Sequence, residues 1–272
     1  MTRLVNIRPG RKAATGLAAI PMILIVIGYM IASAVRHAAN PADKLLPTFG
    51  AMGRAFQHMA SESDPLTGKI LLWADTLASL ERLGIALVIA TGMTMLLGLS
   101  LGMIPLLRAK FGPLVATLSV IPPVAILPIL FIVFGLGEAS KIMLIVIGIT
   151  PVMVRDVASH VAALPQEQMI KAQTLGAGSW LLTLRVALPQ MMPRLIDSLR
   201  LALGPAWVFL ISAEAIAADV GLGYRIFLVR RYLSMDIILP YVAWISLLAI
   251  LFDLILKHIS LKAFPWAHGS SH

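Results

Sequence analysis

Six runs of the chain are long and apolar enough to cross a lipid bilayer, and no other property restricts the fold as sharply. They extend over Ala13–Val35, Leu83–Leu106, Pro113–Leu136, Lys141–Val157, Leu195–Ala218 and Ile237–Leu256. Bilayer hydrocarbon, about 30 Å thick, offers no hydrogen-bond partner to a peptide group, so a crossing segment of about 20 residues must satisfy its own backbone as a helix. Composition agrees: 59% of the 272 residues are hydrophobic and 13% charged, with mean hydropathy +0.90, where soluble domains carry roughly 45–50% and 25%. No polar half leaves room for a soluble catalytic domain, so residues 1–272 read as one all-α membrane domain. Cysteine is absent, which excludes disulfides, thiolate metal sites and cysteine nucleophiles.

A formal charge of +9 invites a nucleic-acid reading, but the 22 Lys and Arg residues lie mostly between apolar runs instead of forming one stripe. Their distribution describes topology, with lipid as the partner and no nucleic acid. Arg3, Arg8, Arg11 and Lys12 precede the first run, which exceeds the roughly 7–15 residues of a signal-peptide core and is expected to be a retained span. Basic residues in short flanks resist translocation. Placing both termini in the cytoplasm therefore puts the N-terminal cluster, Arg108, Lys110, the Arg155–Arg200 region, Lys257 and Lys262 inside. One segment misfits: GLGYRIFLVRRYLSMD would leave Arg225, Arg230 and Arg231 outside, as a re-entrant amphipathic piece or an exception to the rule. The outer-face segment 36–82 holds two amphipathic stretches, GAMGRAFQHMA and ILLWADTLASLERL, expected as a surface helix pair with Trp73 at headgroup level.

Pro122, Pro123 and Pro128 interrupt the third run, and carbonyls freed there are tolerable only beside protein or a wet cavity. The span is expected to face the bundle interior, with Pro122 and Pro123 beside a solute pathway. Glu214 sits deep in the fifth run, where an ionised group costs on the order of 3 kcal/mol. Contact with a solute and a structural hydrogen bond to a neighbouring span both remain open for it. Asp253 is expected to reach the inner interface, and Arg194, Asp197 and Arg200 to form i,i+3 pairs facing headgroups. The six His are scattered, and only His268 and His272 have a ligand-like spacing, in a Gly-Ser tail without a helix to align them; no metal site is expected. No nucleophile, base and acid can be grouped. No G-x-x-x-x-G-K-[ST] motif occurs, so any ATP would be hydrolysed by another chain.

One polar segment remains, the cytoplasmic loop 158–192. Pro165 suits the first turn of a helix over Gln166–Leu175, Gly176 and Gly178 permit a sharp corner, and a second helix over Ser179–Leu188 is expected to stop at Pro189. Its sequence, KAQTLGAGSWLLTLRVALPQMMP, resembles the cytoplasmic loop of ABC importer permeases, in which Glu-Ala-Ala is followed by a spaced Gly and then by a hydrophobic-x-Leu-Pro. In this chain the Glu position is Ile170, the two Ala positions are Lys171 and Ala172, the Gly is Gly176, and the closing pair is Leu188 and Pro189. The spacing is kept; the acid and the first Ala are absent.

GPAWVFLISAEAIAADVGLGYRIF, a last span and a terminal FPW look like the nitrate, sulfonate and taurine branch of these permeases. IPPVAILPILFIVFGLGE, LPQEQMIKAQTLGA and FLVRRYLSMDIILPYVAWISLLA resemble a subgroup associated with urea carboxylase, for which guanidine or urea is the natural solute. The resemblance implies a type I (MetI-like) fold of six transmembrane helices in a bacterial inner membrane. It also implies a homodimer, two ABC ATPase subunits that use ATP and Mg, and a periplasmic substrate-binding protein, with no cofactor bound by this chain. Ile170, Lys171, Ala172, Gln173, Thr174, Leu175, Gly176 and Ala177 would form the coupling helix that seats in the ATPase. The competing reading is an ion-coupled secondary transporter using Glu214, a class that usually shows inverted repeats not found here. An intramembrane enzyme ranks below both.

Overall fold

The structure, a computed structural model, describes residues 10–40, 43–65 and 68–268. Arg3, Arg8 and His272 fall outside these, as do the side chains of Arg11, Lys12 and His268. Among the described residues each apolar run becomes helix and no strand forms. In chain order the helices are α1 (Arg11–Ala39), α2 (Phe49–Ser61), α3 (Leu71–Met103), α4 (Pro105–Leu118), α5 (Leu127–Phe134), α6 (Glu138–Ala162), α7 (Gln166–Thr174), α8 (Ser179–Leu182), α9 (Leu188–Ala217), α10 (Leu222–Arg230), α11 (Met235–Ala263) and α12 (Pro265–His268). Among the described residues five rods are long and apolar enough to cross a bilayer: α1, α3, α6, the continuous α8–α9 and α11. The pair α4–α5 makes a sixth if its two halves count together, and it is bent by 84°.

The bend has a local cause. Pro123 forces the residue before it out of the helical region, and Pro122 accordingly sits at φ −65° and ψ 114°. Neither ring supplies an N–H to continue the ladder, whereas Pro128 falls in the first turn of α5, where none is needed. The expectation that this span faces the bundle interior is corrected for the single chain. α4 buries none of its residues, α5 buries only Leu127 and Leu130, and Pro122 is exposed, so the broken span forms an edge.

The surface helix pair is corrected as well. α2 is a separate amphipathic helix, capped by the Thr48 hydroxyl, which accepts from the Ala51 N–H at 3.2 Å. The second stretch instead forms the first three turns of α3, a 33-residue helix about 50 Å long. Its polar residues Asp75, Ser79 and Arg82 recur at helical spacing and point into the protein, where all three are buried. Trp73 remains half exposed, donating its indole N–H to the Ala60 carbonyl at 3.1 Å and meeting the Trp244 ring edge-on.

The core lies where α3, α6 and α9 meet, around Leu83, Ala86, Ile149, Val157, Leu203 and Leu210. α3 and α6 approach closely at Gly98 and Gly102, a G-x-x-x-G pair that lets backbones pack without a hydrophobic driving force. A Cβ added at Gly98 would lie 2.8 Å from Val157 Cγ1, and one at Gly102 would lie 2.6 Å from Val161 Cγ1. Gly98→Leu is therefore expected to lower thermal stability in detergent by about 1–3 kcal/mol through overpacking. Gly92→Ala on the same helix, where an added Cβ meets nothing within 4 Å, should be neutral. Equal melting of the two variants would show that the helices are not held at this distance.

The second loop helix does not end at Pro189. α8 passes through a π-helical turn, Thr183–Ala187, into α9, and the Leu188 N–H bonds the Thr183 carbonyl five residues back. In a regular helix Pro189 would leave the Arg185 carbonyl without a donor and clash with it; the wider turn relieves both problems, so one rod runs from Ser179 to Ala217. α1 stands apart, tied by Tyr29 Oη donating to the Pro47 carbonyl at 2.6 Å and Ser33 Oγ to the Leu46 carbonyl at 2.9 Å.

Candidate functional site

The loop between α6 and α9 is built to expose a rigid corner. α7 starts after Pro165 and ends in a left-handed residue, Gly176, at φ +86°. The Ala177 N–H bonds the Ala172 carbonyl at 3.0 Å and the Gly176 N–H bonds the Gln173 carbonyl at 2.9 Å. That pair of bonds is a Schellman cap, and it gives the Ala-x-x-x-Gly spacing a physical meaning: Ala172 and Ala177 are the two ends of its longer bond. Gln190 Nε2 donates to Gln168 Oε1 at 2.9 Å and ties α7 to α9.

Around this corner, apolar side chains face outward: Leu175 is 81% exposed, Trp180 75% and Ile170 56%. Lys171, Gln173 and Thr174 are exposed beside them, while Ala172 and Ala177 are half-buried. Leu188 packs against the core and Pro189 is exposed at the start of α9. Residues Ile170–Ala177 thus form one knob, with Leu188 and Pro189 at its root. Pro122 and Pro123 are on the α4–α5 bend, and Glu214 is elsewhere in the core.

The rod behind the knob is pinned by ion pairs. Arg194 forms a bidentate pair with Asp156 of α6, and Arg200 donates to both Asp253 oxygens at 2.8 and 3.1 Å. Arg194, Arg200 and Asp253 therefore do not simply face headgroups or the interface; they join α9 to α6 and α11. Asp197 keeps the expected i,i+3 relation, 3.6 Å from Arg200.

Glu214 occupies the far part of α9 and is completely buried. Its Oε1 accepts from Ser79 Oγ and from Arg82, each at 2.7 Å, and its Oε2 accepts from the Gly223 N–H at 2.8 Å. Both oxygens are engaged by protein donors in this conformation. Arg82 also pairs with Glu138, which bonds Lys141 at 2.9 Å, and donates to the Val220 carbonyl at 2.8 Å. Two helical turns before Arg82, Asp75 accepts from the Gly221 N–H at 3.0 Å, from Arg225 Nε at 2.8 Å and from Tyr241 Oη at 3.2 Å. One stripe of α3 thereby clamps the corner between α9 and α10. Gly221, at φ +139°, has Glu214 Cδ only 2.6 Å from where a Cβ would sit.

This network accounts for part of the topological misfit and leaves Arg231 exposed. Arg225 is neutralised by Asp75 inside the protein, and Arg230 stacks over the Phe227 ring, so neither behaves as a free loop cation. Sequence reasoning missed Asp75 and Arg82 because it gave them to a surface helix. The available signal was their placement with Ser79 on a single helix face running into an apolar span.

Residues 94–264 match the family described as binding-protein-dependent transport system inner membrane component. The taurine transport system permease protein TauC of Escherichia coli is 34% identical over 198 residues, 73% of this chain and 72% of the relative. The nitrate import permease protein NrtB of Synechococcus elongatus is 32% identical over 151 residues, 55% of this chain and 54% of that one. In fold, the chain is similar to a structure of the MetNI methionine ABC transporter in an inward-facing conformation. The TM-score is 0.60 at 17% identity, covering 68% of this chain and 93% of the other. These relatives are permease components and not enzymes, and the all-helical, MetI-like chain is of the same kind: it belongs to the family of binding-protein-dependent transport system inner membrane components.

Proposed function

We propose that this chain is the permease half of an ATP-driven importer in a bacterial inner membrane, and that the Ile170–Ala177 knob docks on an ABC ATPase subunit. The observation that carries the proposal is the outward-facing crest of Ile170, Leu175 and Trp180 on a capped corner between two spans. Exposed large apolar side chains on a polar loop mark an interaction surface. ATP and Mg are used by that partner, and this chain binds no cofactor. The positive-inside rule supports a cytoplasmic position for the knob and for both termini. A periplasmic binding protein delivers the solute on the opposite side.

Two copies pair around the pathway. The exposed edge formed by the bent span, with Pro122 at its apex, supplies apolar surface for a second copy. The solute is small and polar, of the taurine and nitrate type named for the relatives; urea and guanidine are the alternatives suggested by sequence resemblance. Glu214 serves as the anchor of α9, since its oxygens are taken by Ser79, Arg82 and Gly223. The same contacts support a structural role for Glu214 over a self-sufficient carrier that titrates it.

Co-purification tests the docking. The wild-type chain should bring down its ATPase and support ATP-dependent uptake in proteoliposomes supplied with binding protein, assayed with taurine, nitrate, an alkyl sulfonate, urea and guanidine. The pair Leu175→Asp and Trp180→Asp removes the apolar crest and should weaken ATPase retention by at least about 30-fold, from roughly 2 kcal/mol or more of lost burial. Undiminished retention, or uptake without ATP, would refute the proposal.

A further inference from the structure

At the end of the bundle that carries α7, a cleft of about 250 Å³ opens between the α3–α4 corner and the last turns of α6. Its walls include Leu101, Val115, Ala158 and Ala162, and two guanidinium groups, Arg108 and Arg155, line it. Four arginines within or against the spans have acidic partners: Arg82 has Glu138 and Glu214, Arg194 has Asp156, Arg200 has Asp253 and Arg225 has Asp75. Arg108 is held by backbone, donating to the Leu101 carbonyl at 3.0 Å and to the Gly102 carbonyl, which caps the end of α3. Among the described residues no ion pair involves Arg108 or Arg155, and Asp156, next in sequence, is committed to Arg194.

Two cations facing an apolar cleft near the ends of membrane helices call for an anion that also carries hydrocarbon. We infer that this cleft binds the phosphate of an anionic phospholipid, with the phosphodiester on Arg108 and Arg155 and the glycerol and first acyl carbons over Leu101, Val115, Ala158 and Ala162. Basic pockets between membrane helices take anionic headgroups in this way, and a guanidinium matches a phosphate through two parallel hydrogen bonds. A free phosphate would meet the two charges but leave the apolar wall unused. The bound lipid would link α4 to α6, the helix that leads into α7 three residues after its end, and so stiffen the support of the knob. The inference concerns binding by this chain alone and does not depend on the transported solute.

Native mass spectrometry of the full chain in mild detergent tests it, with phosphatidylglycerol, phosphatidylcholine and inorganic phosphate added in separate titrations. One phosphatidylglycerol should bind per chain, more tightly than phosphatidylcholine and without displacement by millimolar phosphate. Arg155→Gln, at an exposed position, should weaken that adduct about tenfold through loss of a charge-assisted pair. Ala162→Phe, which fills the rim without touching a charge, should weaken it as well, so the wall is tested separately. Equal binding of both lipids, displacement by inorganic phosphate, or adducts unchanged in both variants would overturn the inference.

Discussion

Arg82→Met should cost the folded chain about 3–5 kcal/mol, the usual penalty for stranding one member of a buried ion pair. Glu214 has no exposed surface, and among the described residues Arg82 is the only cation bonded to it. Without the guanidinium, the carboxylate keeps Ser79 and Gly223, but its charge is uncompensated, and the Val220 carbonyl loses its donor. A loss of this size is a large fraction of the 5–15 kcal/mol that holds a typical domain together. It should appear as a fall on the order of 10 °C in the unfolding temperature in detergent, with loosening of the α9–α10 corner. The double variant Arg82→Met with Glu214→Gln removes both charges and should regain at least half of the loss, because a buried pair adds little over a neutral replacement of similar shape. Gly221→Ala should destabilise the same corner by a different route, through its backbone angle and the 2.6 Å approach to Glu214. A single variant as stable as wild type, or a double no better than the single, would show that the pair does not anchor α9.

The membrane spans were legible because an apolar run of about 20 residues has few other fates. Their ends were less so. Hydropathy records that Asp75, Ser79 and Arg82 are polar but not which way they face, so the first three turns of α3 read as an interfacial helix. The break in the third span followed from Pro122 and Pro123, yet its position at the chain's edge depends on how α5 meets α6, which no local pattern records. The knob was visible in the spacing of Ala172, Gly176 and Ala177 because its cap is made of near neighbours. The continuation through Pro189 was not, since proline normally stops a helix and a π turn has no composition of its own. The ion pairs were hidden for a related reason: Arg194, Arg200 and Arg82 find their acids 38, 53 and 132 residues away. Glu214 stands out in the sequence as an acid inside an apolar run, but its partners Ser79 and Arg82 lie 135 and 132 residues away, beyond any local pattern.

Gly176→Val should leave the bundle folded and abolish most of its coupling to ATP. The residue sits at φ +86° with nothing within 4 Å of an added Cβ, so the substitution meets no steric wall. Its penalty is conformational, about 1–2 kcal/mol for an L-residue in the left-handed region and more for a β-branched one. α7 buries none of its residues and has little packing with which to resist. The chain is therefore expected to leave the left-handed angle, breaking the bonds from Gly176 to Gln173 and from Ala177 to Ala172 and reorienting Leu175. Under the proposed docking role, a knob that no longer holds one shape cannot transmit displacement from the ATPase to the α8–α9 rod. ATP-driven uptake in proteoliposomes should fall at least about tenfold, which corresponds to roughly 1.4 kcal/mol of misdirected docking, while unfolding temperature and membrane insertion stay at wild-type values. Gly176→Asn supplies the decisive comparison, because asparagine tolerates the left-handed angle and should retain most of the uptake. If valine transports as well as glycine, or if valine and asparagine fail equally, the left-handed corner is not what positions the knob.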